Sequence, residues 1–346
     1  MKRVLTVLMV LAMVLAMLTA CSAPATESVS ASPSATATPG EAASEAPTPS
    51  PEPAAAYGEG NPLTVATLAG PTGMGMIQLF DNPAYDVSLL TSPDQISPKI
   101  ISGEATVATI PSNLAAVLYN KMKGGIKIVS VNTMGVLYIV ENGDTVSSIE
   151  DLAGKTIYAT GQGATPEYVL NKILKENGLE NVTVEYMGAH ADLANAVAAG
   201  DVTLALLPEP FVSAVLAQNP DVAVKLDINK EWQKIFGEDV GMPMGVTVVS
   251  SAFAQDQASM NQLIADYTAS VNYVTANADS AAKDIVAKQI VGAEPVAKAA
   301  IPRCGLSFIT GEESKAILGD YFQMMFESNP ESVGGAVPDD GIYYIP

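Results

Sequence analysis

Histidine occurs once, at position 190, tryptophan once, at 232, and cysteine only at 21 and 304. A single histidine cannot furnish a His-carboxylate metal cluster, and neither HExxH nor CxxC occurs, so no transition-metal site is expected. The GxSxG elbow of serine hydrolases is missing too. Any catalytic triad would depend on His190, which stands instead where a helix begins. Gly161-Gln-Gly163 lacks the third glycine and the later acidic residue of a dinucleotide fingerprint, and no cofactor is expected. Cations are scarce: 17 Lys and Arg face 37 Asp and Glu, a net charge of −20. Nucleic acid is excluded as a partner, because affinity for it comes largely from Lys and Arg on phosphates. Beyond the first residues no apolar run is long enough to span a bilayer, so the chain is not itself a channel or permease.

What is present begins with an address. Lys2 and Arg3 precede the apolar run Val4–Leu18, which is short for a membrane span and reads as a signal peptide over residues 1–20. Leu18-Thr19-Ala20-Cys21 follows and resembles the bacterial lipobox. Acyl chains on Cys21 would hold the protein on the outer face of the membrane, each buried methylene contributing ~0.8 kcal/mol. Cys304 is then a lone, buried thiol. Residues 21–60 are Ser, Ala, Pro, Thr and Glu with almost no large apolar side chain. Such a segment cannot bury enough surface to offset its ordering entropy and reads as a tether.

From Asn61 the chain alternates strands and helices, and one pattern occurs twice. Ser102-Gly-Glu-Ala-Thr-Val-Ala-Thr-Ile-Pro111 and Ala199-Gly-Asp-Val-Thr-Leu-Ala-Leu-Leu-Pro208 superpose at one offset. Gly103 meets Gly200, Thr106 meets Thr203, and Pro111 meets Pro208. In each copy a helix stops at Gly, a buried strand follows, and Pro ends the strand and opens the next helix. The repetition predicts an α/β fold of two lobes of similar build, each with a parallel sheet and right-handed crossovers. The apolar stretches Gly135–Val140 and Gly245–Ser250 read as two crossings between them. Lobe 1 would then comprise residues 61–136 and 245–346, and lobe 2 residues 137–244. Ser147 and Glu150 have capping-box spacing, and Thr165 with Pro166 reads as N-cap and first residue of a helix.

Ligands of open α/β sheets lie beyond the carboxyl ends of strands. The candidate walls of a cleft are therefore the loops after strands. In the first lobe these hold Thr72, Gly73 and Met74; Pro111, Ser112 and Asn113; and Asn132 and Thr133. In the second they hold Gln162, Gly163, Ala164 and Thr165, then Glu209, with Met242 beside the second crossing. Gly73-Met-Gly75 and Gly161-Gln-Gly163 end strands and open helices, where backbone N–H groups suit a polar or anionic ligand group. A tight turn with no ligand has the same sequence. Glu209 reads equally as a ligand contact or as a cap on the following helix. Met74, Met134, Met242 and Met244 read as adaptable lining or as core. Arg303 reads as a neutraliser of a ligand anion or as half of a structural ion pair.

Three stretches carry a family resemblance: Ser148-Ile-Glu-Asp-Leu-Ala-Gly-Lys-Thr156, Gly161-Gln-Gly-Ala-Thr165 heading a helix, and Leu206-Leu-Pro-Glu-Pro-Phe211. With the lipobox and tether, the chain resembles the substrate-binding lipoproteins of ABC importers. More narrowly it is similar to the nitrate/sulfonate/taurine and thiamine-pyrimidine-precursor binding proteins. The resemblance implies a type II periplasmic-binding-protein fold, in which a monomer captures a small solute between its lobes by hinge closure and delivers it to a permease and its ATPase. It implies ligand contacts around Thr72, Ser112, Thr133, Gln162 and Glu209. No evident Arg or Lys stands in those loops, unlike the well-known anion binders, which leaves room for a neutral or heterocyclic solute. Two other readings share the fold: an enzyme like the pyrimidine-precursor synthases, whose histidine-rich iron chemistry sits badly with one histidine, and a tethered sensor or adhesion module.

Overall fold

A computed structural model describes residues 57–346 except 59 and 239. The expected signal peptide, Cys21 and nearly all of the tether lie outside the described residues.

The order of elements is β1 (Leu63–Leu68), α1 (Pro71–Gly75), β2 (Tyr85–Leu90), α2 (Pro93–Ser102), β3 (Val107–Pro111), α3 (Ser112–Lys121) and β4 (Ile126–Met134). The chain then crosses to β5 (Leu137–Asn142), β6 (Thr156–Thr160), α4 (Thr165–Glu176), β7 (Thr183–Met187), α5 (His190–Ala199), β8 (Leu204–Pro208), α6 (Phe211–Gln218), β9 (Val222–Asp227) and α7 (Ile228–Phe236). It returns along β10 (Pro243–Ser250) and ends with α8 (Gln257–Ala276), α9 (Ala278–Ala287), α10 (Glu294–Ala300), β11 (Leu306–Thr310) and α11 (Gly311–Ser328). Two sheets result, ordered β11-β4-β10-β3-β1-β2 and β7-β6-β8-β5-β9.

The repeated pattern is visible in the backbone. Gly103 (φ 76°) and Gly200 (φ 84°) close α2 and α5 in the left-handed region, which only glycine adopts at little cost. The strands that follow, β3 and β8, each lie beside the strand that arrives from the other lobe: β3 beside β10, and β8 beside β5. Pro111 and Pro208 pair with Gly245 and Leu137 at the ends of those ladders, where a missing N–H is tolerated.

Neither sheet is purely parallel, which corrects the expectation from alternation. β1, β2 and β3 run parallel, as do β6, β7 and β8. β10 is antiparallel to both β3 and β4, and β5 to both β8 and β9. The reason is the path of the chain. β4 leaves its sheet at its carboxyl end, so β5 enters the second sheet at the carboxyl ends of its neighbours and must run the other way. β10 does the same on the return. β11, antiparallel to β4 at the sheet edge, was not expected as a strand.

Helix α8 shows how the pattern becomes packing. Asp256 caps it, accepting from Ser259 N at 3.1 Å. Met260, Leu263, Tyr267, Val271 and Val274 recur every three or four residues and are buried. The first four lie over the first sheet with Leu63, Val65, Val107 and Val249. Burying each large apolar side chain contributes roughly 1.5–3 kcal/mol. Two local expectations shift by one residue. The capping box is Ser148 with Asp151, and α4 has Ala164 as N-cap and Thr165 as its first residue.

Candidate functional site

The parallel strands of both sheets point their carboxyl ends toward the two crossings, and the loops there carry the candidate residues. Thr72 is half-buried, and its Oγ1 donates to Leu68 O at 3.1 Å. Asn132 and Thr133 are buried side by side. Thr133 Oγ1 donates to Asn132 Oδ1 at 3.0 Å, and Asn132 Nδ2 donates to Thr247 Oγ1 at 3.0 Å. A Cβ at Gly245 would lie 3.0 Å from Thr72 Cγ2 and 2.7 Å from Asn132 Oδ1, so these groups form one cluster. Pro111 is half-buried and N-caps α3. Ser112, fully buried, donates to Pro243 O at 2.8 Å and ties that loop to the start of β10.

The lobes meet through Thr165. Its Oγ1 donates to Asn113 Oδ1 at 3.2 Å and lies 3.1 Å from Tyr321 Oη on α11. All three residues are buried, and Asn113 Nδ2 also donates to Ser332 O at 3.2 Å. Farther out, Asn329 Nδ2 donates to Tyr168 Oη at 3.2 Å. A groove of about 540 Å³ opens beside that contact, between α4 and the end of α11, lined by Tyr168, Lys172, Lys175 and Asn329 among others.

Glu209 forms the second lobe-to-lobe link. Its side chain is fully buried, and its Oε1 lies 2.9 Å from Arg303 Nε, though the N–H is not aimed along a hydrogen bond. The same carboxylate accepts from Ser213 N at 3.1 Å and Ser213 Oγ at 3.0 Å, which caps α6. Glu209 thus caps α6 and pairs with Arg303. Burial pushes the Glu209 carboxyl up, against the opposing pull of Ser213 and Arg303. Tyr138 Oη donates to Arg303 O at 3.1 Å across the same junction. His190, at the start of α5, bonds through Nδ1 to the Thr160 hydroxyl and lies against the Phe211 ring. Burial lowers its pKa from the ordinary 6.5.

Several sequence candidates belong elsewhere. Met74 and Met242 are 0% exposed and sit in the core rather than on a cleft wall. Met74 Sδ lies 3.8 Å from Cys304 Sγ. Gly73 is required by packing, since a Cβ there would lie 2.7 Å from Leu68 O. Gln162 and Gly163 are exposed and Ala164 is half-buried. Gly163 N donates to Glu167 Oε2 at 2.5 Å. Tyr321, Tyr168 and Asn329 were missed by sequence reasoning. They lie in helices or, for Asn329, at the end of one, remote in sequence from their partners, and no spacing marks them. Among the described residues no group of three His, Cys, Asp or Glu could hold a metal ion.

With that geometry in hand, comparison with known families is decisive. A family model described as menaquinone biosynthesis matches residues 76–326, well over half of the chain. The chain belongs to that family. No curated protein matches it in sequence. Among solved structures, an ABC transporter protein from Parabacteroides distasonis superposes with a TM-score of 0.70 at 22% identity, covering 82% of this chain and 98% of the other. The periplasmic aliphatic sulphonate binding protein of Escherichia coli gives 0.62 at 16% identity, covering 79% and 90%. The alkanesulfonate-binding protein of Xanthomonas axonopodis pv. citri, solved bound to MOPS, gives 0.57 at 14%, covering 77% and 92%. This member of the menaquinone biosynthesis family therefore has the fold of periplasmic binding proteins. No helix among the described residues is long and apolar enough to cross a membrane.

Proposed function

We propose that the protein is the extracytoplasmic solute receptor of an ABC importer, and not an enzyme. It is held to the outer face of the membrane through Cys21 and works as a monomer. Lobe 1 is built from residues 61–136 and 245–346, and lobe 2 from residues 137–244. A small organic solute enters between the lobes, and rotation about the two crossings closes them. The closed form is what the permease and its ATPase receive. The observation that carries this reading is the reciprocal crossing, with β5 and β10 each inserted beside the repeated strand of the other lobe. Such a layout turns strand-end loops from both lobes toward one another. Thr72, Ser112, Asn113, Asn132, Thr133 and Thr165 are the polar groups we assign to the cleft. Pro111, Gln162, Gly163 and Ala164 flank them, and Gly73, Met74, Met242 and Glu209 support the walls from behind.

Native mass spectrometry of protein purified from cells grown in rich medium tests the reading. A receptor carries a small molecule that denaturation releases unchanged. Protein that carries nothing, and that no medium component stabilises, would count against it. The family description favours a second reading, a biosynthetic enzyme of the same fold. In that case the bound molecule would leave with an altered mass on incubation.

A further inference from the structure

Glu209 follows β8 of the second sheet, and Arg303 precedes β11 of the first. The carboxylate that joins them is fully buried. The neighbouring Pro210 lies against the loop after β1, since a Cβ built on Gly70 would be 3.9 Å from its Cδ. The buried charge is incompletely compensated. Arg303 Nε is 2.9 Å from Oε1, but its N–H makes no hydrogen bond. The guanidinium is itself 33% exposed, and its Nη2 donates to Ala299 O at 3.5 Å. The hydrogen bonds that Glu209 does accept come from one residue, Ser213, through N and Oγ. A side-on ion pair does not offset the hydration that a buried carboxylate gives up.

A protonated Glu209 suits this junction better. Its Oε1–H can donate to Ser213 Oγ, 3.0 Å away, while Oε2 keeps the bond from Ser213 N at 3.1 Å. Arg303 then turns to solvent through its exposed part. Burial accordingly outweighs Ser213 and Arg303, and pushes the carboxyl up from its ordinary 4.5. Separated lobes would let water reach the carboxylate. There the Ser213 donors and the positive end of α6 favour its charged form. The groups that face Glu209 among the described residues are Arg303, Cys304 and Tyr138, with Asp227 near Tyr138. Arg303 keeps its charge throughout. Burial pushes the Cys304 thiol and the Tyr138 phenol up, so both stay neutral.

We propose that closure of the lobes takes up a proton at Glu209, so that acidification favours the closed form. This rests on the hinge motion of the receptor reading and adds a regulator to it. By linkage, the closure constant gains at most about tenfold per pH unit where Glu209 is charged in the open form and protonated in the closed one. Small-angle scattering on the full chain, from about pH 8 to about pH 5, reads this. The radius of gyration of wild type should fall on acidification. Glu209→Gln, with a permanently neutral amide, should be compact throughout and insensitive to pH. Arg303→Gln removes the paired cation, so its transition should move to higher pH, and it serves as the test if Glu209→Gln does not fold. His190 titrates in the same range and is kept in both variants. A pH response unchanged in Glu209→Gln, or unshifted in Arg303→Gln, therefore belongs to other groups and overturns the inference. A radius that rises on acidification, or stays constant while Thr165→Val is expanded, would also overturn it and leave the receptor reading standing. If neither pH nor Thr165→Val changes the radius, the hinge motion of the receptor reading fails and the inference falls with it.

Discussion

Thr165→Val tests whether the lobes are held together by the contact described here. The substitution nearly preserves volume but removes the hydroxyl that lies between Asn113 Oδ1, at 3.2 Å, and Tyr321 Oη, at 3.1 Å. Tyr321 is 3% exposed and Asn113 7%, so water cannot readily replace the lost partner while the lobes are closed. Asn113 keeps its bond to Ser332 O, which holds the amide in place. Each lost hydrogen bond costs about 0.5–1.5 kcal/mol, so two cost about 1–3 kcal/mol. In an open form all three groups would meet water, and the loss falls on the closed form alone. An equilibrium constant for closure should therefore drop about 5- to 150-fold.

Small-angle scattering on wild type, Thr165→Val and Thr165→Ser reads the effect. The valine variant should have the larger radius of gyration, and the serine variant, which keeps the hydroxyl, should follow wild type. A valine variant with an unchanged radius and a lower melting temperature would refute the reasoning. It would mean that the contact stabilises folding and does not govern the separation of the lobes.

Gly163→Val should cost about 1–3 kcal/mol of folding stability with ligand affinity little changed, because φ is +75° there and no atom lies within 4 Å of a built Cβ. Calorimetric titration with the co-purified molecule and thermal unfolding on the same variant separate the two effects. His190 titrates with a pKa below its ordinary 6.5, so the unfolded chain binds its proton first as pH falls. Its contribution is complete above about pH 6.5 and shrinks on acidification, and His190→Asn should flatten that part of a melting-temperature profile. An unflattened profile would assign the acid sensitivity to other groups. Gly73→Val should lower the melting temperature sharply, since its Cβ would lie 2.7 Å from a backbone oxygen. Cys21→Ala should move the protein from membrane to soluble fractions and abolish palmitate labelling.

What the sequence made legible follows from how local each cause is. The strands Leu63–Leu68 and Tyr85–Leu90 and the helix Pro93–Ser102 stand where proline, glycine and apolar runs put them. Their ends are fixed by residues a few positions away. The doubled pattern was legible for the same reason, since a glycine cap and a strand-ending proline act within one turn of chain. Strand direction was not legible, because β5 and β10 run antiparallel through the path of the crossings and through nothing in their own residues. β11 is half-buried along its whole length and lacks alternation, so its sequence carries no period to read. The junction lies further still from local rules. Thr165 has the composition of a helix cap, yet its hydroxyl donates across the lobes to Asn113, and Ala164 takes the cap position instead. Glu209, placed between two prolines at a strand end, suits a ligand contact and a cap equally by sequence, and it is buried, bonded to Ser213 and paired with Arg303. In both cases a partner more than 50 positions away adds a contact that no local rule supplies, Asn113 for Thr165 and Arg303 for Glu209.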